Sequence, residues 1–261
     1  MVEINLEACK ALAVQYGLSL QFVVKEFCVF DVLGQVVMST APSKRLVFKG
    51  GTALNKVYLG GMQRFSEDLD FDFDTENLSE ARAEAQRISR LIEGYRIADF
   101  RTVRKTVQFD CEYDSQLGGK DHVRIDVAAK RVITEKPTLV KPAVSAYTQR
   151  SVTGFYVYAL EDLVARKLNA LQTRGEGKDF YDASNALPLC GKMKSALQKM
   201  LESEKRAETP AEFIGKAIKK VQEGDPKKLR NLTNPFIPAG NRPKDWEELK
   251  NDLLLKLEKL V

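Results

Sequence analysis

Histidine is almost missing from this 261-residue chain, with His122 the single example. Hydrolases built on two or more histidines are thereby excluded, and nothing in the pattern supports a Cys–His nucleophile pair. Cysteine is scarce as well. The four, at 9, 28, 111 and 190, never fall at a Cys-x-x-Cys spacing, which argues against a structural zinc site and predicts reduced, mostly buried thiols. No apolar run nears the roughly 20 residues that a membrane span needs. The opening MVEINLEACK has neither the basic start nor the apolar block of a signal peptide, so a soluble cytoplasmic protein without membrane contact is expected. A strong excess of one charge is also lacking: 41 Lys and Arg against 36 Asp and Glu leave +5, enough to assist contact with phosphates but not to identify a nucleic-acid binder. Chemistry is left to carboxylates, lysines, arginines and hydroxyls. With 44% hydrophobic residues the chain can bury a sizeable core, as one large domain or two modest ones.

Phe22, Val23, Phe27, Phe30, Leu33 and Val37 recur at spacings of three and four, which predicts a long helix over 20–37 after a shorter one over 6–14. Pro42 and Ser43 break that pattern. Residues 45–48 then read as a short strand ending in the turn Gly50-Gly51 and a helix start at Thr52. Leu69, Phe71 and Phe73 alternate with Asp68, Asp70, Asp72 and Asp74, the signature of a half-buried strand. A helix over 79–92, N-capped by Ser79, and strands over 95–103, 106–113 and 122–128 follow, the last two joined by a hairpin at Gly118-Gly119. Beyond Pro137 and Pro142 the periodicity is helical, over 160–171, 178–187, 192–202, 211–223 and 245–260. The reading is an α+β chain with no internal repeat, its mixed α/β part over 1–150 and its helical part over 151–261.

A strand repeats its facing every two residues, so Asp68 and Asp70 point the same way and repel each other unless a cation sits between them. A solvent-facing acidic edge that resists aggregation is the competing explanation. If strand 122–128 lies beside that strand, Asp126 supplies a third carboxylate; otherwise it is a surface residue. In Lys49-Gly-Gly-Thr the glycines let backbone approach an anion, and the N–H groups of the helix that follows point at it. The spacing fits neither a Walker A loop nor Gly-x-Gly-x-x-Gly, and taken alone Gly-Gly-Thr is more often just a turn. Lys167 interrupts an otherwise apolar stripe at 160, 163, 164, 168 and 171: it either snorkels at the core edge or projects into a cleft. Lys178 and Asp182 have the spacing of an i,i+4 ion pair, and Asp179 that of a helix-start residue.

In combination, Phe48-Lys-Gly-Gly-Thr-Ala-Leu followed by Arg64-Phe-Ser-Glu-Asp-Leu-Asp-Phe resembles the AbiEii family of nucleotidyltransferase-like toxins, part of the DNA polymerase β superfamily. The family's later Asp, its helix Lys and its Lys/Arg-Asp-x-x-Asp motif look like Asp126, Lys167 and Lys178-Asp179-Phe-Tyr-Asp182, so the resemblance runs in order over 46–187. Where superfamily members have Gly-Ser this chain has Gly51-Thr52, which keeps the hydroxyl.

The resemblance implies a polymerase β-like mixed sheet with flanking helices, followed by a helical domain that closes a nucleotide cleft. It implies Asp68, Asp70 and Asp126 as catalytic, Mg²⁺- or Mn²⁺-binding carboxylates. It further implies Lys49, Gly50, Gly51, Thr52, Arg64, Ser66, Lys167, Lys178, Asp179 and Asp182 on the nucleotide side, with Thr52, Arg64 and Ser66 reaching phosphates. A nucleoside triphosphate is the implied donor, RNA such as the tRNA 3′ end the acceptor, and a separately encoded antitoxin the protein partner. Two other readings stand beside it: a phosphatase of the haloacid dehalogenase type, using one Asp of the Asp-x-Asp as nucleophile, and a nucleotide-binding regulator that transfers nothing.

Overall fold

The computed structural model describes residues 2–40 and 43–260; the break expected at Pro42 lies outside them. Two helices open the chain, α1 (Leu6–Tyr16) and α2 (Leu20–Thr40). Asn5 caps α1 by accepting from Ala8 N, and Gly17, at φ 59°, ends it in the left-handed conformation that suits a residue without a Cβ. The stripe expected along α2 is wider than its spacing suggests, because Val24, Cys28, Val29 and Val32 are buried too. A helix enclosed on most sides carries its polar residues inward, and Lys25 pairs with Glu67 and Asp121 while Glu26 pairs with Lys56.

The sheet-forming part follows as β1 (Leu46–Lys49), α3 (Gly50–Val57), β2 (Leu69–Phe73), α4 (Leu78–Leu91), β3 (Arg96–Val103), β4 (Thr106–Asp114) and β5 (Lys120–Ala129). Helix α4 begins one residue earlier than its periodicity suggests: Asn77, not Ser79, is the N-cap, its side chain accepting from Ser79 N. The hairpin between β4 and β5 turns at Gly118 and Gly119, as expected, with φ of 90° and 75°. Four two-residue strands come next, β6 (Leu139–Val140), β7 (Ala143–Val144), β8 (Ser151–Val152) and β9 (Tyr156–Val157). None was legible, since two residues display no period.

Helices complete the chain: α5 (Leu160–Thr173), α6 (Gly177–Ala186), α7 (Lys194–Ser203), α8 (Pro210–Gln222), α9 (Pro226–Thr233) and α10 (Trp246–Glu258). Only α9 went unforeseen. Its signal was Asp225-Pro226, an N-cap that accepts from Lys227 N and Lys228 N, with proline at the first helical position. No helix among the described residues is long and apolar enough to cross a membrane.

Seven strands join in the order β3-β4-β5-β2-β1-β9-β6, a mixed sheet. Strand β2 lies between β1, antiparallel to it, and β5, parallel to it. Its apolar side and that of β5, namely Leu69, Phe71, Val123, Ile125 and Val127, are at most 1% exposed, and each such side chain contributes about 1.5–3 kcal/mol. Helix α4 packs on β4 and β5, α3 packs on β2, and α5 packs on α3 and on α6, α7 and α8. The opposite, acidic side of β2 is thereby set beside α3 and α5.

Candidate active site

Strand β1 delivers the chain to Lys49, and Gly50 turns it at φ 78°. A Cβ on Gly50 would lie 2.1 Å from Asp70 Oδ2, and one on Gly51 2.8 Å from Arg64 Nη2. Only glycine lets the first turn of α3 sit so close to a carboxylate and a guanidinium. Lys49, at the N-cap, makes no capping hydrogen bond. The leading N–H groups of α3 therefore have no side-chain partner and present the positive end of the helix.

Thr52 and Arg64 do not face that way. The Thr52 hydroxyl, 1% exposed, shares a 2.8 Å hydrogen bond with Ser66 Oγ and donates to the Asp68 carbonyl at 2.5 Å. It fastens the glycine turn to the segment that bears Asp68, a correction to its expected place on phosphate. Arg64 is buried and turned inward, where it makes a fork to Asp182 (Nε–Oδ1 2.9 Å, Nη2–Oδ2 2.6 Å) and donates from Nη1 to the Phe65 carbonyl. All three of its nitrogens are thus engaged within the protein.

The carboxylates come next. Asp68 sits just before β2 and Asp70 within it, and Asp70 stands directly across the parallel pair from Asp126 of β5. Adjacent strands lie about 4.8 Å apart. Burial chiefly, with Asp126 and Asp68 adding to it against the pull of Lys49, raises the Asp70 carboxyl to about 6. Burial likewise raises Asp68, helped by Glu67, and raises Asp126 despite its hydrogen bond from Gln108. Burial is thus the main force against ionisation at all three, and Asp126 adds its charge to that at Asp68 and Asp70.

Asp126 Oδ2 accepts from Gln108 Nε2 at 2.7 Å, while Oδ1 is buried with no hydrogen-bond partner. An orphaned carboxylate oxygen beside two mutually destabilised carboxylates is a donor set suited to a hard divalent cation. The side chains as they stand are nevertheless spread: among the described residues no three Asp, Glu, His or Cys groups are close enough together to hold a metal ion. This corrects the expected convergence of Asp68, Asp70 and Asp126. Asp126 leans on Gln108 and Asp70 on Gly50, so what they share is backbone register and electrostatic field.

Behind the glycine turn lies the opposite arrangement. Lys167, 6% exposed, neither snorkels nor stands free: its Nζ is 2.8 Å from Asp182 and 3.1 Å from Asp179. Arg174 closes on Asp179 with two hydrogen bonds of 2.8 and 2.9 Å, and Asn55 donates to Asp182 at 3.1 Å. Asp179 also completes the capping box of α6 with Glu176. Burial alone would raise Asp182, but Arg64 and then Lys167 overcome it and hold the carboxyl down at about 2. Lys178, by contrast, forms no ion pair with Asp182. Its ammonium lies 3.4 Å from the Phe236 ring centroid, while the Asp182 carboxylate is taken up by Arg64 and Lys167.

One residue of this neighbourhood escaped sequence reasoning. Asp72 is fully buried and accepts from Lys49 Nζ at 2.6 Å and from Tyr158 OH at 2.7 Å. The two-residue period already set it on the face of Asp68 and Asp70, but nothing local showed that Tyr158 would cover it. Asp70 and the covered Asp72 line the cleft, a cavity of about 230 Å³ between β2 and α5 walled also by Lys49, Gly50, Gly51, Arg166 and Lys167, while Asp68, just before β2, is not on its wall. Lys130 and Glu204 also line it and pair with each other.

The chain is similar in fold to MenT4, a nucleotidyltransferase toxin from Mycobacterium tuberculosis H37Rv, with a TM-score of 0.70 at 18% identity over 99% of this chain and 90% of that one. A protein from H. pylori provisionally classed as a nucleotidyltransferase superposes with a TM-score of 0.54, also at 18% identity, over 93% and 96% of the two chains. Comparison with curated proteins found no match. The family described as "Nucleotidyl transferase AbiEii toxin, Type IV TA system" matches residues 33–259. A match over that span, on a nucleotidyltransferase fold with an acidic strand beside an uncapped glycine-led helix, makes the chain a member of the AbiEii family of nucleotidyltransferase toxins.

Proposed function

We propose that this protein moves a nucleotide from a nucleoside triphosphate to a hydroxyl of RNA, such as the 3′ end of tRNA, in the presence of Mg²⁺ or Mn²⁺. It is the toxin of a pair whose other member is a separately encoded antitoxin. The observation that carries this reading is one cleft with two kinds of lining: free N–H groups at the start of α3 and, beside them, Asp70, raised to about 6 chiefly by burial. A phosphate chain fits the first and a divalent cation the second.

In this reading Gly50, Gly51 and the backbone of Thr52 cradle phosphate oxygens, and Lys49 and Lys167 neutralise them. Ser66, bonded to the Thr52 hydroxyl, steadies the turn. Arg64, Asp179 and Asp182 keep Lys167 in place, and Lys178 stands at the outer side of the cleft. Asp68 and Asp70 hold the cation, which needs only one or two carboxylates when phosphates and water complete its shell. When bound, it neutralises phosphate charge and makes the acceptor hydroxyl more acidic. Asp126 takes the proton of that hydroxyl. The hydroxyl oxygen bonds to the α-phosphorus, the bond from that phosphorus to the bridging oxygen breaks, and pyrophosphate leaves. The part over 1–150 carries the carboxylates, and the helical part over 151–261 closes over the nucleotide.

Each radiolabelled nucleoside triphosphate, offered with Mg²⁺ and cellular RNA, tests the proposal. Label entering RNA, pyrophosphate released and both lost to a chelator are expected. Phosphate released from a monoester, with no label in any RNA, would overturn it in favour of the phosphatase.

A further inference from the structure

A second cavity, of about 670 Å³, lies outside the cleft, where the junction of α5 and α6 meets the end of α8 and the start of α9. Arg174 lines both cavities. Lys178 lines the larger one and is close enough to Asp68 and Glu67 for their charges to act on it. Arg174 thus stands between the two cavities.

Three further observations give the larger cavity a chemistry. Lys178, Lys220 and Lys228 line it from three helices, and among the described residues none of the three has a carboxylate within ion-pair distance. Of the carboxylates that share the wall, Asp225 and Glu176 are engaged in capping α9 and α6, which leaves Glu223. Burial, and then Arg64, depress the Lys178 ammonium, so an incoming anion relieves it. Leu229, the ring of Phe236 and Leu232, which is 62% exposed, form an apolar part of the wall.

We propose that this cavity receives the acceptor, as the single-stranded end of a nucleic acid whose phosphates meet Lys220 and Lys228 and whose bases rest on the Leu232 side. The inference rests on the nucleotidyltransferase reading, which requires two substrates to meet at Asp68 and Asp70. The smaller cavity already holds the features that suit a triphosphate. Unpaired ammonium groups over an apolar floor suit a chain of phosphates and unstacked bases, since a base in a duplex has no free face to lay on Leu232.

The test is equilibrium binding of a short fluorescein-labelled single-stranded RNA, followed by anisotropy at several salt concentrations with Mg²⁺ and no nucleoside triphosphate. Compared with the wild type, Lys220→Glu combined with Lys228→Glu is expected to weaken RNA binding by about tenfold or more and to lower the salt slope by about 2. Its nucleoside triphosphate affinity should stay within about twofold, since neither residue reaches the cleft. Unchanged RNA affinity in the variant, no RNA binding by the wild type, or a loss confined to the nucleoside triphosphate would each overturn the assignment. Wild-type transfer to a different acceptor without RNA binding would overturn it while leaving nucleotidyltransfer standing. RNA binding through these lysines with no transfer to anything would instead remove the function proposed above and keep the nucleic-acid site.

Discussion

Asp70 and Asp182 lie on opposite sides of the glycine turn, and the protein pushes them in opposite directions. Burial, with Asp126 and Asp68 adding to it, pushes Asp70 up to about 6 against the pull of Lys49; Asp182 is gripped by Arg64 and Lys167 and held down at about 2. Burial raises both, so the partners decide the sign. The over-partnered group belongs to the architecture that supports the cleft. The under-partnered one is left with a carboxyl that any nearby positive charge would stabilise.

The largest effect should come from breaking the well-partnered side. Asp182→Ala leaves the Arg64 guanidinium and part of Lys167 buried without a counter-charge, and should lower unfolding free energy by about 3–5 kcal/mol in a denaturant titration. A loss below about 1 kcal/mol would erase the contrast. Because the folded pKa of Asp182 is depressed, its contribution is full above the unfolded value of about 4 and disappears as pH falls through about 2.

Next comes the reactive side. Asp68→Asn should reduce nucleotide transfer by more than the ~10²–10³-fold typical of one lost transition-state contact, because it weakens the site that holds both substrates. The melting temperature should hold, since the lost charge was repelled by its neighbours. Transfer within tenfold of wild type would remove Asp68 from the mechanism.

Asp70→Asn sharpens the contrast through stability. The folded pKa of Asp70 is raised, so its burial is harmless below about pH 4, becomes costly as pH rises towards 6, and costs about 3 kcal/mol at most above that. The variant should therefore be more stable than wild type near pH 7.5 by about 1–3 kcal/mol, with a smaller gain near pH 4.5. Mg²⁺ should raise the wild-type melting temperature in the same upper range. A variant destabilised at both pH values would contradict the reading.

The smallest change is expected from Lys167→Met. Arg64 still serves Asp182 and Arg174 still serves Asp179, so the loss should be about 1–2 kcal/mol. Nucleotide affinity, measured alongside, should fall by more than that stability loss explains.

Much of this site could be read from spacing. The two-residue period gave the common facing of Asp68 and Asp70, and the apolar runs gave β2 and β5 as strands whose parallel pairing brings Asp126 alongside. Lys167 was marked by its place in an apolar stripe. What could not be read is where charged side chains turn once the chain closes. Arg64 and Thr52 look like phosphate ligands in a linear motif, yet each finds a stronger partner inside, because Asp182 and the Asp68 carbonyl arrive from elsewhere in the fold. The cover that Tyr158 gives Asp72 belongs to the same class, since the two are 86 positions apart. Elements of two residues, such as β9, escaped for lack of length.

The fork between Arg64 and Asp182 joins residues 118 apart in sequence, and that distance has a temporal meaning. During synthesis the glycine turn and the acidic strand leave the ribosome long before α6 exists, and long-range contacts form late. Until residue 182 has emerged, Arg64 lacks the partner that holds it beneath Gly51, and Lys167 lacks the partner that sets its place beside Asp70. A nascent chain therefore carries Asp68, Asp70 and Asp126 without a finished cleft, which is completed only when the C-terminal helices have docked.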